Sequence, residues 1–403
     1  MTLRRAAAAG LVAAVISVAV DLVAQTTTDL FDDTRLHDVQ LFINSKDLAT
    51  LRARYQENIN FPADIMIDGT RVRNVAVRSR GLGSRNPNKL GLRVDFNFYT
   101  RAKRFQGLEA LILDNLWQDP SMMREMLAMK VFRRMGEAAP RESFCRVFLN
   151  NQYQGLYALV EEIDPDFAER ETGQTNGYLY EFHWKFPFFG EDLGPGLDIY
   201  KTMFEPRSHE LETDDQLYGP IRDLFHDLTE PDDALWLEKV SPRLDLTQFM
   251  RSLGIEAALG ENDAILGFAG MNNFYWYRPG SSLQFRVFPW DRDVSFTFKD
   301  SSLQRGLDSN IIFSRAYAHP DLRTTYFDAA EAGARLLGDE NWLESEIDRI
   351  VALIDTRVRE DTKKLYSNED FDGQIQQIEP IGFLREFARV RPALLIDEIA
   401  RLR

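Results

Sequence analysis

Apolar residues along this chain follow two rhythms, and the rhythm changes partway. From Val39 to Glu162 they mostly alternate with polar ones, the period of half-buried strands. Val39-Gln40-Leu41-Phe42-Ile43 predicts a strand, and Ser45 an N-cap for a helix from Lys46 to Tyr55. Ala63–Ile67 and Thr70–Ser79 predict a hairpin turning at Asp68-Gly69. A strand is expected over Leu90–Phe96 and a helix over Pro120–Met135, stopped by Gly136 and Pro140. Two further strands, Ser143–Leu149 and Gln152–Glu162, flank an Asn150-Asn151 turn. Residues 184–220 show no clear period. Helices are expected at Leu217–Leu228 and Leu246–Leu259, and an aromatic strand pair at Asn273–Tyr277 and Leu283–Trp290. From Tyr326 onward the spacing is that of amphipathic helices, with Ile347, Ile350, Val351 and Ile354 on one face. A strand-rich first part and a helix-rich second part predict an α+β chain in two lobes, with a hinge near 160–165.

Composition narrows the class. The chain has 403 residues, 44% hydrophobic and 28% charged, as in soluble globular proteins. Its formal net charge is −15 and no Lys/Arg block appears, so nucleic acid is not an expected partner. Arg4-Arg5 precedes an apolar run, Ala6 to Val20, and Leu22-Val23-Ala24 offers small residues for cleavage. Residues 1–24 are therefore expected to be a signal peptide and 25–37 a linker. Export to the periplasm, cell surface or medium follows, with no transmembrane helix in the mature chain; an uncleaved anchor is the alternative. The single cysteine, Cys145, lies in an alternating segment and reads as a buried small residue. The five histidines are scattered, with no pair at zinc-ligand spacing.

Candidate chemistry concentrates in Pro289-Trp290-Asp291-Arg292-Asp293, which follows Met271-Asn272-Asn273-Phe274-Tyr275. Carboxylate and amide oxygens are the hard ligands that Mg²⁺ or Mn²⁺ prefers, commonly alongside phosphate. Plain ion pairing of Asp291 and Asp293 with Arg286, Arg292 or other basic groups accounts for the same residues equally well. Arg80-Gly81-Leu82-Gly83-Ser84 is a glycine loop whose backbone N–H groups suit phosphate, although an ordinary turn has the same composition. Lys89 and Arg93 lie four apart, on one face of the next expected strand. Lys201 is a rival phosphate-binding lysine. Glu125 is either a partner that orients such a lysine or a solvated charge on its helix.

Taken in order, several segments resemble the spore-coat protein H (CotH) kinase family. They are Arg80-Gly81 with Lys89 and Arg93, Met123-Arg124, Ala139-Pro140-Arg141, Asn150-Asn151-Gln152-Tyr153-Gln154-Gly155-Leu156-Tyr157 and Leu159–Asp164. Asn272-Asn273-Phe274-Tyr275, Pro289–Asp293 and Phe387–Pro392 complete the series, which runs over residues 38–400. The resemblance implies an atypical protein-kinase-like fold, with an N-lobe over 38–162 and a C-lobe over 163–403. It implies transfer of the ATP γ-phosphate to Ser/Thr hydroxyls of a protein substrate, with Mg²⁺ or Mn²⁺. By that resemblance Asp263, Lys89 and Arg93 carry catalysis. Arg80, Gly81, Gly83, Ser84, Glu161, Glu162 and Lys201 bind the nucleotide, and Asp291, Asn272, Asn273 and Asp293 bind metal. The chain lacks G-x-G-x-x-G, H-R-D and D-F-G, and eight residues separate Asp263 from Asn272. Two rival classes remain open. One is a catalytically inactive surface, coat or adhesion protein. The other is a glycoside hydrolase with paired carboxylates.

Overall fold

The computed structural model describes residues 27–375 and 384–403. The expected leader over 1–24 and the start of the linker lie outside these residues.

The alternating segments of the first part form strands β1 (Leu36–Ile43), β2 (Phe61–Ile67), β3 (Thr70–Ser79), β4 (Leu92–Asp95), β5 (Ala110–Asp114), β6 (Glu142–Leu149) and β7 (Gln152–Val160). They close into a barrel in the order β1-β2-β3-β4-β5-β7-β6. Every pairing is antiparallel except the closing one, β1 on β6, which is parallel with Val39 opposite Val147. Inward residues such as Val39, Leu41, Val77, Leu92, Leu113, Val147 and Leu159 fill the interior. Cys145 is wholly buried there, as its alternating segment predicts. The helix expected at Pro120 begins later, at Arg124. Met122 takes a positive φ of 57°, and Asp119 accepts the Met123 and Arg124 amides, so the first turn forms only after that cap.

The second part carries a four-stranded sheet, ordered β11-β10-β8-β9. Its strands are β8 (Tyr178–Phe182), β9 (Phe204–Pro206), β10 (Phe274–Arg278) and β11 (Arg286–Pro289). Helices surround it, among them Leu246–Ala258, Pro320–Gly338, Trp342–Glu360 and Leu384–Leu402. The mixed α+β character expected from the sequence is present. One continuous core cluster joins Ile112, Phe144 and Ala158 of the barrel to the Arg124–Arg134 helix and to Tyr275, Phe288 and Trp290 of the second sheet. No helix among the described residues is long and apolar enough to cross a membrane.

The hairpin turn at Asp68-Gly69 has positive φ at both central residues, 46° and 84°, as a two-residue turn of this type requires. Asp68 also ties down the barrel entrance. His37 Nδ1 lies 2.7 Å from its carboxylate, the Asp38 amide donates at 2.9 Å and Arg35 at 3.0 Å. Burial pushes the Asp68 carboxyl up, but these partners outweigh it and hold it at about 2. A depressed carboxylate stabilises the fold above its unfolded pKa, and that contribution is lost as pH falls through the folded value. Asp68→Asn, which keeps the turn geometry, should lower stability by about 2 kcal/mol at pH 7. In denaturant titrations that difference should shrink as pH falls from 4 toward 2.

Candidate functional site

A narrow cleft lies where the barrel, the Arg124–Arg134 helix and the segment after β11 meet. Six carboxylates line it, and no lysine or arginine does: Asp114, Asp119, Glu125, Glu142, Asp291 and Asp293. Asp114 ends β5, Glu142 begins β6, and Glu125 sits in the first turn of the helix. The strand β11 ends at Pro289, and the chain turns at Asp291 with a φ of 51°. Arg292 fixes that turn. Its fully buried guanidinium donates to the Asn273 carbonyl at 2.5 Å, the Trp290 carbonyl at 2.6 Å and Glu256 at 2.7 Å.

This corrects the plain ion-pair reading of the motif. Arg292 is engaged by Glu256 from the Leu246–Ala258 helix, and Arg286 pairs with Asp245 at 3.3 Å. Among the described residues neither Asp291 nor Asp293 has an ion-pair partner. Their environment is electrostatically unfavourable for charge. Burial first, then the neighbouring Asp114, pushes Asp291 up to about 6 against the opposing pull of Arg80. Burial and Asp291 push Asp293 well up. Burial pushes Glu142 up to about 8 despite Arg133, and burial with Glu142 raises Glu125.

Asp263, Asn272 and Asn273 are brought together beside this turn. Asn273 Nδ2 donates to the Asp263 carboxylate at 3.1 Å and to its backbone carbonyl at 2.9 Å, and Asn272 Nδ2 approaches the same carboxylate at 3.3 Å. Asn273 has a φ of 57°, so two site residues, Asn273 and Asp291, occupy the left-handed region that Asn and Asp tolerate best. The charge of Asp263 is felt at Asp291. The Trp290 amide donates to the Asn273 carbonyl at 3.2 Å and Arg292 donates to the same carbonyl, so the two segments are adjacent.

Of the glycine loop, Ser84 lines the cleft, and Gly83 lies against Gln118, which also lines it. Arg80 donates to Asp114 at 3.0 Å and sits over the Trp290 ring, 5.5 Å from its centroid. Gly81 accepts from Arg85 at 2.5 Å, which braces the loop against the barrel.

The expected lysines do not reach the cleft. Lys89 precedes β4, so it shares no strand face with Arg93. It is fully buried, 2.6 Å from Asp361 and over the Tyr157 ring. Asp361 also accepts the Leu156, Lys363 and Lys364 amides, and Gly155, at a φ of 125°, leaves the space that this carboxylate fills. Lys89 is thus a tie between the barrel and the C-terminal helices. Lys201 is on a surface helix, paired with Asp214 at 2.7 Å. Arg93 belongs to a neighbouring charged pocket, where it and Arg207 share Glu162 at 2.8 and 2.9 Å. Glu161 is buried against Arg141 and Arg170. Sequence reasoning passed over Asp114, Asp119 and Glu142. Asp114 and Glu142 each mark the polar end of an apolar strand, a signal visible in the sequence once β5 is recognised.

The fold and the cleft define an α+β protein with an acidic cleft beside a closed barrel. The chain belongs to the CotH kinase protein family, whose model matches residues 77–395. It is also 24% identical over 260 residues to the inner spore coat protein H of Bacillus subtilis (strain 168), covering 64% of this chain and 68% of that one.

Two expectations follow. Lys89→Met leaves Asp361 buried without its cation and should cost about 3–5 kcal/mol by chemical denaturation, with a hydrophobic replacement of both partners recovering part of the loss. A carboxyl whose folded pKa is raised penalises the fold above that pKa and not below its unfolded value. In metal-free buffer Glu142→Gln should therefore be more stable than the parent at pH 8, by on the order of a few kcal/mol. That advantage should vanish as pH falls toward 4.5, the ordinary value for a glutamate.

Proposed function

We propose that this chain is an ATP-dependent protein kinase of the two-lobed atypical kind, with an N-lobe over residues 38–162 and a C-lobe over 163–403. One observation carries the reading: among the described residues Asp291 and Asp293 line one acidic cleft without ion-pair partners, and Arg292 ties their turn to the Asn273 backbone, beside which Asn272 and Asn273 hold Asp263. A pure scaffold gains nothing from unpaired buried carboxylates, which cost stability.

The donor set fits Mg²⁺ or Mn²⁺, because every group is a carboxylate or amide oxygen. In this reading Asp291 is the principal ligand, with Asp293 and an Asn272 or Asn273 oxygen beside it. The bound ion would neutralise phosphate charge. Asp263, held by the two asparagines, orients the acceptor hydroxyl and takes up its proton. Arg80, braced by Asp114, offers the cation that Lys89 and Lys201 do not. Ser84 and the Gly81–Gly83 backbone border the phosphates, and the Glu161–Asp164 crossover lies toward the base. A protein Ser/Thr hydroxyl is the acceptor class.

Calorimetry with ATP and each metal tests this. Asp291→Ala should abolish metal-dependent nucleotide binding, whereas Asp263→Ala should keep it and lose phosphate incorporation into a generic protein substrate by at least about 10²-fold. Circular dichroism must first show both variants folded. If the parent protein binds no nucleotide with either ion, the kinase reading fails. A non-catalytic coat or surface protein then takes its place, a role favoured by the coat designation of the Bacillus relative. In either case we place the protein outside the cytoplasm, on the leader at residues 1–24. N-terminal sequencing should find the mature chain starting at Gln25, and an intact Met1 would oppose export by cleavage.

A further inference from the structure

Glu142 stands apart from the other cleft carboxylates. Its side chain is 2% exposed, and neither carboxylate oxygen has a hydrogen-bond partner. Among the described residues no lysine or arginine lies within ion-pair distance of it. Arg133 is the cation nearest in influence, but that guanidinium donates to the Pro140 carbonyl. Glu125 reaches the same cleft from the helix and likewise has no ion pair. A buried carboxylate with both oxygens unpaired costs several kcal/mol unless something neutralises it. Either a proton or a cation does so.

The surroundings favour a cation. Ser84 and Asp114 line the cleft with the two glutamates, so further oxygen donors are at hand. The cleft carboxylates do not draw together as tightly as Glu181, His183 and Glu205 on β8 and β9, whose ligand atoms lie within 4.8 Å of one another. An ion that keeps its waters, as Mg²⁺ does, needs only one or two carboxylates. The Glu181–His183–Glu205 group is a weaker candidate despite its spacing. It is partly exposed, and Arg207 already lies 3.4 Å from Glu205 and 3.8 Å from Glu181.

We propose that Glu142 and Glu125 hold a second, hydrated divalent cation on the barrel wall of the cleft, separate from the ion assigned to Asp291. The all-oxygen donor set selects Mg²⁺ or Mn²⁺ over zinc. This site does not require phosphoryl transfer, and it would be filled in a non-catalytic protein as well.

Mn²⁺ titration of the full chain, followed by electron paramagnetic resonance without nucleotide, counts bound ions. The parent should bind two. Glu142→Gln and Glu125→Gln should each bind one, with a smaller Mn²⁺-induced rise in melting temperature, and Asp291→Asn should lose the other ion. Loss in Glu142→Gln with no change in Asp291→Asn would support the barrel-wall site while overturning the assignment of Asp291. Parent stoichiometry and affinity in Glu142→Gln would overturn the proposal and show a protonated buried acid; if Asp291→Asn still lost an ion, the nucleotide-metal reading would stand. A single ion lost equally from Glu142→Gln and Asp291→Asn would also overturn it, as one shared site.

Discussion

Arg292 is the interaction on which the cleft depends. One buried guanidinium satisfies Glu256 on a helix, the Asn273 carbonyl before β10 and the Trp290 carbonyl after β11. Those two carbonyls belong to the segments that present the asparagine pair and Asp291. Because the guanidinium is planar and rigid, it sets the spacing between the segments as well as neutralising Glu256. Burying such a pair gains little over a well-packed apolar replacement, while losing one partner is expensive. Its use here is positional: it ties together two backbone turns, at Asn273 and Asp291, that both take a positive φ.

Around that anchor the molecule separates its charges by task. Cations expected at the phosphates are spent elsewhere. Lys89 fastens the barrel to Asp361, and Arg93 and Arg207 clamp Glu162 beside the crossover. What remains lining the cleft is acid, tempered by Arg80, which pairs with Asp114, and more weakly by Arg133 and Arg292. An acidic pocket in an acidic protein repels a bare phosphate. By electrostatics alone, an anionic ligand would enter such a pocket only together with a cation.

Much of this was legible in the residues. The Asp68-Gly69 hairpin announced itself because few residues accept two successive positive φ values. The Asn272–Asn273 and Asp291–Asp293 segments drew notice because polar residues at the ends of apolar strands are costly, and Arg292 does bring the backbones of the two segments together. Other features depend on distance along the chain. Lys89 meets a residue 272 positions away, and no local pattern carries that information. The strand β5 was missed because Ala110-Leu111-Ile112-Leu113 is short and continuously apolar, buried on both faces, so it lacks the alternation that marks β3 or β6. Glu142 lies one residue before the expected strand Ser143–Leu149 and carries no local mark of its own. Only the closed barrel shows that it faces inward on the cleft.

The parallel closure of β1 on β6 has a consequence for how the chain is made. Strands β1 to β5 extend the sheet in sequence order, each new one pairing with the last. The seam cannot form until Val147 exists to sit opposite Val39. During synthesis the outer edge of β1 therefore waits, unpaired and rich in apolar residues, while the whole stretch through the Arg124–Arg134 helix emerges. Closing so long a loop is slow, and an exposed strand edge recruits whatever strand is nearby. The last barrel strands thus act as a checkpoint for the first: a chain truncated before β6 keeps a nearly complete sheet with an open, adhesive edge.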